Sequence, residues 1–395
     1  MKFEGIVFSD IHFGSMDSSK LFNELQYSLL DYISLKVDNL DLVVISGDYF
    51  DKLLYLNDNH TYYASLFMIK LIDIIKKFNA KLRIVYGTES HECNQYEYLN
   101  EWINNSNIDY RLIKTVQEEC INNMMILYVP EEYIYNKSDY YKNYFNNENK
   151  YDYIFGHGVI NELMPSSVHV NKKSTNSNRL KVPTFNSNEL SHICKGEVFF
   201  GHYHINSTIN DNIHYCGSFS RTKFGEEEDK GFYHFTYKNN KYKSNFIINT
   251  LATKYNTIYY GYNSIIFKSM DNLSKELDKI TNNIKNDRID GKLRLVFNLP
   301  EDYENGESVI LYIQERFKGI KNIKVEFNNG FVNRVSTVNK TYLNETVKKY
   351  GSVFDKSLSL EDKSSQYIKI KYNEDISSDK IKQHFITDDI LNLKD

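Results

Sequence analysis

Proline and tryptophan are nearly missing from this 395-residue chain, at four and one copies, while tyrosine (33) and phenylalanine (24) are abundant. Together with many Asn, Lys and Ile residues, this is the profile of A/T-rich codons. Genome composition therefore explains the tyrosines better than aromatic platforms for stacked bases do. There are four cysteines, Cys93, Cys120, Cys194 and Cys216, without paired spacing, which excludes a disulfide framework or a zinc ribbon. Scattered thiols suit a reducing, cytoplasmic setting. Nor is there an excess of positive charge: 48 Lys and Arg stand against 52 Asp and Glu, a net charge of -4, so no basic field advertises a nucleic-acid partner. The longest apolar runs, such as Leu42–Ile45, are too short to cross a bilayer. No leader is expected, because Phe3–Phe8 already reads as a strand. The expectation is a soluble chain with no membrane partner.

What is present is an alternation of strand and helix signals. Residues 1–115 carry buried-strand runs at Ile6–Phe8, Leu42–Ile45 and Leu82–Tyr86, separated by the periodic stretches Leu21–Val37 and Tyr62–Phe78. From Met124 onward the pattern becomes short strands in meander order, at Met124–Val129, Tyr151–Phe155, Glu197–Phe200, Ile213–Cys216 and Phe232–Tyr237. The spacing predicts an α/β fold, a two-sheet sandwich flanked by helices, over residues 1–251. A small α+β unit follows at 252–335, from Leu273, Leu277, Ile280 and Ile284 at helical spacing and the alternating Leu293, Leu295 and Phe297. A C-terminal region at 336–395 carries further amphipathic stripes. No internal repeat is found.

Five fragments bear metal-ligand chemistry, and each follows a strand signal. They are Asp10-Ile11-His12, Gly47-Asp48-Tyr49-Phe50-Asp51, Gly87-Thr88-Glu89-Ser90-His91-Glu92, Gly156-His157-Gly158 and Gly201-His202-Tyr203-His204. Singly, such fragments are common. In order, at strand ends where open α/β sheets place their sites, they offer enough imidazole and carboxylate for two transition-type cations about 3.5–4 Å apart. That arrangement serves phosphoester hydrolysis. Asp48 is the choice for a bridging carboxylate, and Gly47, Gly156 and Gly201 are read as turns that aim the ligands. The polar stretch Ser166–Pro183 carries Lys172, Lys173, Arg179 and Lys181; it is expected to be a loop beside the site, either solvated or touching a phosphate backbone.

In these residues the chain resembles the calcineurin-like metallophosphoesterases. More closely, it is similar to the SbcD-type exonuclease subunits of DNA repair and recombination complexes, particularly those of phages. The segment Gly217–Gly231, with its Gly-Ser turn, Phe224-Gly225-Glu226 and Lys230-Gly231, is typical of that nuclease branch. Protein phosphatases usually continue their second motif with Arg-Gly, where this chain has Lys52-Leu53. The resemblance covers residues 1–250 well and the remainder in general plan.

The resemblance implies that Asp10, His12 and His204 hold one metal, that His157 and His202 hold the other, and that Asp48 bridges. His91 would face the scissile phosphate as acid or charge stabiliser, with Asp51 orienting His91 or the substrate. It further implies two manganese ions, 3′-to-5′ exonuclease action on duplex DNA, endonuclease action on single strands, a homodimer, and an SbcC-like SMC-family ATPase as partner. Residues 252–335 would then cap the DNA and 336–395 would dock on the ATPase. One departure stands out: Ser90 occupies the place where the family usually has a ligating Asn. A hydroxyl is the weaker neutral ligand: Ser90 could bind directly, leave the place to water or cede it to Glu89, and a looser second metal is expected. Two other readings compete: a metallophosphoesterase acting on a small phosphodiester or a phosphoprotein, and a catalytically silent DNA-binding scaffold.

Overall fold

Strands that bury both faces read as unbroken apolar runs, and this chain has several. The computed structural model describes residues 2–146, 148–163, 181–261, 264–285, 291–299 and 306–327, with isolated positions between 362 and 379. Its strands are β1 (Lys2–Phe8), β2 (Leu42–Ser46), β3 (Lys81–Val85), β4 (Asp109–Ile113), β5 (Gln117–Ile121), β6 (Met124–Val129), β7 (Tyr151–His157), β8 (Val159–Ile160) and β9 (Thr184–Phe185). They continue with β10 (Cys194–Gly201), β11 (Ser207–Ile209), β12 (Ile213–Tyr215), β13 (Gly231–Lys238), β14 (Lys241–Ile248), β15 (Tyr255–Tyr260), β16 (Lys292–Phe297) and β17 (Ile323–Phe327). The helices are α1 (Ser18–Glu24), α2 (Asp31–Lys36), α3 (Asn59–Phe78), α4 (Glu89–Glu92), α5 (Tyr96–Asn104), α6 (Lys137–Tyr140), α7 (Ser187–Ile193), α8 (Met270–Lys285) and α9 (Gly306–Phe317).

The fold is an α/β sandwich of two six-stranded sheets flanked by helices, with additional small sheets. In the first sheet, ordered β14-β13-β1-β2-β3-β4, the strands β1 to β4 are parallel, β13 pairs antiparallel with β1, and β14 pairs antiparallel with β13. Parallel neighbours need crossovers, and the periodic segments supply them. α1 and α2 form one run through a π turn at Leu25–Leu30, and α3 crosses next. Leu21, Leu25, Leu29 and Ile33, with Phe67, Leu71 and Ile75, cover Ile6, Phe8, Val43, Ile45 and Ile84 on the outer face. The alternate residues Val7, Leu42, Val44 and Val85 face the second sheet. Both helical runs begin about a turn before their first apolar residue: Asp17 accepts from the Ser19 and Lys20 amides, and Asp58 from that of His60.

The second sheet, ordered β11-β12-β10-β7-β6-β5, corrects the expected meander. β6, β7, β10 and β12 all run parallel, and only β5 and β11 are antiparallel to their neighbours. Crossovers including α7 return the chain between them. Aromatic rings fill the space between the sheets, with Tyr153 4.8 Å from Phe235 and Phe155 stacked 5.7 Å from Phe199. Part of the aromatic excess is thus core.

Two compact units divide the chain, Met1–Asn256 with Asp290–Lys292, and Thr257–Ile289 with Leu293–Asp395. In the second unit β16 and β17 pair in parallel, as the crossover through α9 allows, and α8 and α9 pack on them through Leu273, Leu277, Ile310 and Ile313. Among the described residues, no helix is long and apolar enough to cross a membrane. The stripes expected at 336–395 lie outside the described residues.

Candidate metal centre

The carboxyl ends of β1, β2, β3, β7 and β10 come together, and with them the five ligand-bearing fragments. The backbone bends sharply there. Asp10, His12 and Asp48 have φ of 50°, 54° and 51°, and His202 has 109°. Left-handed conformations in non-glycine residues cost on the order of 1–3 kcal/mol each and persist where the surroundings impose them. Gly47 is also left-handed, at φ 85°, and a Cβ on it would lie 2.1 Å from His157 Nδ1. Gly201 and Gly156 are not turns of that kind. A Cβ on Gly201 would meet the Ser46 carbonyl oxygen at 2.3 Å, and one on Gly156 the Phe200 ring at 2.5 Å. Close approach, not backbone freedom, requires them.

Two donor groups result, and Asp48 lies between them. In the first, Asp10, His12 and His204 gather with Asp48: His12 Nε2 lies 2.9 Å from His204 Nε2, 3.8 Å from Asp10 Oδ1 and 3.7 Å from Asp48 Oδ2. In the second, His157 Nε2 lies 3.4 Å from Asp48 Oδ1 and 3.8 Å from Glu131 Oε2, and His202 Nδ1 lies 3.2 Å from that same oxygen. Asp48 therefore turns one oxygen to each group. Asp10, Asp48 and His157 also converge as a set that could hold a cation.

Neighbours hold these imidazoles in place. His157 Nδ1 donates to the Ser46 carbonyl at 2.8 Å and His204 Nδ1 to Glu226 Oε1 at 2.8 Å, so that in the neutral rings, the form that binds a metal, Nε2 of each is the lone pair facing the centre. Glu226 also accepts from the Thr222 amide at 2.7 Å, and Lys230 Nζ donates to the His204 carbonyl at 2.8 Å. The segment Gly217–Gly231 is thus a cradle for His204.

The field at the centre is strongly negative. Burial opposes ionisation of Asp10, but pairing with His12 and the charges of His157 and His204 hold its carboxyl down at about 2. Burial likewise works against Asp48, and His157 and then His91 keep its carboxyl well below the ordinary range. His157 resists charge by burial, yet Asp48 lifts it to about 10. A pocket whose carboxylates draw a proton so firmly onto the buried His157 is also one that attracts cations. Donor chemistry, converging lone pairs and charge all fit divalent metal ions.

His91 comes from α4 and pairs through Nδ1 with Asp48 Oδ2 at 2.8 Å; that hydrogen bond raises its pKa against the opposing effect of burial. Asp51 places its Oδ1 3.5 Å from His12 Nδ1, and its charge also acts on His91. Ser90, expected as the weak second-metal ligand, is exposed on α4. The residue of this fragment that faces the centre is Thr88, directly after Gly87: its amide donates to Asp48 Oδ1 at 2.7 Å and its hydroxyl to Glu131 Oε2 at 3.2 Å. The local reason is α4, which begins at Glu89 and carries Ser90 outward. Lys181 is exposed and joined by its backbone to Ile134; Lys172, Lys173 and Arg179 lie outside the described residues.

Glu131 lies outside every fragment that the sequence singles out, and Thr88 and Glu226 lie inside such fragments with roles the sequence does not assign. Glu131 had a signal: it follows the strand β6 as the other ligand-bearing fragments follow theirs.

No protein-family model matches this chain, and no curated protein matches it. Among solved structures, one chain aligns over its whole length with 62% of this chain, at 12% sequence identity and a TM-score of 0.35. So distant a likeness carries no argument about the site.

Proposed function

We propose that this chain is a metal-dependent phosphodiesterase of the calcineurin-like kind that cuts DNA, in the manner of the SbcD-type nuclease subunits it resembles in sequence. The observation that carries the reading is Asp48, whose two oxygens each face a separate group of imidazole and carboxylate donors. Two divalent cations, manganese by the sequence resemblance, would supply Lewis acidity toward the phosphoryl oxygens and activation of water. Asp10, His12 and His204 would hold one of them, and His157 and His202 the other. Asp48, with one oxygen toward each group, would be shared between them. His91 has Nδ1 engaged by Asp48 and is about one-third exposed, so Nε2 is the atom available to a leaving oxygen. Its raised pKa favours the protonated form, as a proton donor or charge stabiliser needs.

DNA as substrate rests on the Gly217–Gly231 segment and the order of the five fragments. An SbcC-like ATPase and a second copy of the chain are the partners that go with that reading. The test is release of nucleotides from end-labelled linear duplex DNA with manganese, comparing wild type with His91→Ala. Manganese-dependent cleavage by wild type, reduced about 10²–10⁴-fold in the variant, supports the proposal. Equal cutting by both proteins contradicts it. A chromogenic diester hydrolysed far faster than DNA would move the substrate to a small phosphodiester.

A further inference from the structure

We infer that Glu131 is a direct ligand of the second cation, so that this group is completed by a carboxylate from the end of β6 and not by a neutral side chain of the third motif. The inference rests on the two-cation reading above and concerns how its second half is built. Glu131 is 7% exposed and lies at the carboxyl end of a strand parallel to β7, beside the strand that brings His157.

The distances separate a ligand from an ion-pair partner. Charge-assisted N–H···O contacts close to about 2.7–2.9 Å, as do those of His91 with Asp48 and His204 with Glu226, both at 2.8 Å. Glu131 Oε2 instead stands 3.2 Å from His202 Nδ1 and 3.8 Å from His157 Nε2, while His157 Nε2 stands 3.4 Å from Asp48 Oδ1. Donors about 2.1 Å from a common cation lie roughly 3.0–3.4 Å apart in octahedral or tetrahedral arrangements. The 3.2 Å spacing to His202 matches a polyhedron edge and the 3.8 Å spacing to His157 lies somewhat beyond one, and both are longer than the 2.8 Å charge-assisted pairs. Only Oε2 is directed inward, and Thr88 Oγ1, at 3.2 Å, donates to that same oxygen. Thr88 therefore supports the carboxylate.

The charge of the centre changes accordingly. Asp10, Asp48 and Glu131 contribute three negative charges, so two divalent ions leave 4 − 3 = +1. A hydroxyl or amide in place of Glu131 would leave 4 − 2 = +2. The second cation is then held by a hard anionic oxygen, which reverses the expectation of a loose second site.

The experiment is titration of metal-free, full-length protein with manganese chloride, read by calorimetry and by low-temperature electron paramagnetic resonance. Wild type should bind two equivalents and give the signature of a coupled pair. Glu131→Gln should weaken the second equivalent by at least about 10–100-fold, the range seen even for outer-shell losses, and give isolated-manganese lines at one equivalent. Thr88→Val should shift it far less. Glu131→Cys keeps the test independent of lost stability: a thiolate that reaches the cation should bind cadmium with a new ultraviolet sulfur-to-metal absorption. Two equivalents bound by Glu131→Gln within threefold of wild-type affinities, or no thiolate band in folded Glu131→Cys, overturns the assignment while the two-cation reading stands. Fewer than two equivalents bound by wild type overturns both.

Discussion

A methyl group placed on Gly47 would sit 2.1 Å from His157 Nδ1 and 2.4 Å from its Cγ. Non-bonded carbon contacts settle near 3.5 Å or more, so the ring would have to retreat by roughly 1.3 Å. It has nowhere to go, because His157 is fully buried and its Nδ1 is committed to the Ser46 carbonyl at 2.8 Å. Overpacking of this kind costs about 1–3 kcal/mol. The backbone at φ 85° adds about 1–3 kcal/mol once a Cβ is present, so Gly47→Ala should lose about 2–6 kcal/mol. Gly225→Ala is the matched control, since Gly225 has φ 98° and a Cβ added there would meet nothing within 4 Å, so it carries the backbone cost alone. Urea unfolding of the metal-free proteins measures the difference, expected at about 1–3 kcal/mol. Manganese titration should show Gly47→Ala weakened as well, because His157 Nε2 moves with the ring. Equal unfolding midpoints for the two variants, or unchanged manganese affinity in Gly47→Ala, would refute the idea that Gly47 exists to seat His157.

Glu226→Gln should weaken manganese binding at the group containing His204 by about 10–100-fold while leaving the fold intact, because it removes the carboxylate that fixes the ring's tautomer; calorimetry reads this directly. Glu92 is buried, and its carboxyl is pushed up to about 8 by burial and by Asp48, against hydrogen bonds from Tyr96 and the Tyr49 amide. A raised folded-state pKa gives stability that is present below the ordinary carboxyl value and lost as pH rises through about 8. Metal-free wild type should therefore lose on the order of a few kcal/mol between those limits, and Glu92→Gln should not; parallel unfolding curves across that window would contradict this. Arg83 is fully buried and bidentate to Glu119 at 2.7 and 2.8 Å. Arg83→Met leaves that carboxylate with only the longer Arg111 contact at 3.4 Å and the Tyr128 hydroxyl at 3.3 Å, so it should cost up to about 3–5 kcal/mol in urea unfolding, with part recovered in Arg83→Met/Glu119→Leu.

The buried parallel strands were legible because both their faces are apolar, and β6 falls where the pattern placed it, at Met124–Val129. Edge strands were not. β4 and β5 alternate exposed and covered residues such as Asp109, Arg111, Gln117 and Glu119, since an unpaired edge is protected by charge and so loses its hydrophobic signature. Strand direction in the second sheet was also hidden, because α6 and α7 are only 4 and 7 residues long and leave little helical periodicity between strands. In the site, fragments marked by Asp, His and Gly came together as a group because each ends a neighbouring strand. Ser90 misled because sequence spacing does not show that α4 begins at Glu89 and turns that hydroxyl outward. Glu131 carries no histidine or glycine beside it, and only the register of β6 against β7 brings it to His157.

Diffraction from crystals of the manganese-soaked protein, measured at the manganese absorption edge, would locate the cations about Asp48 directly. Two anomalous peaks about 3.5–4 Å apart, one on either side of the Asp48 carboxylate, are the predicted result. A single peak, or peaks away from Asp48, would contradict the account.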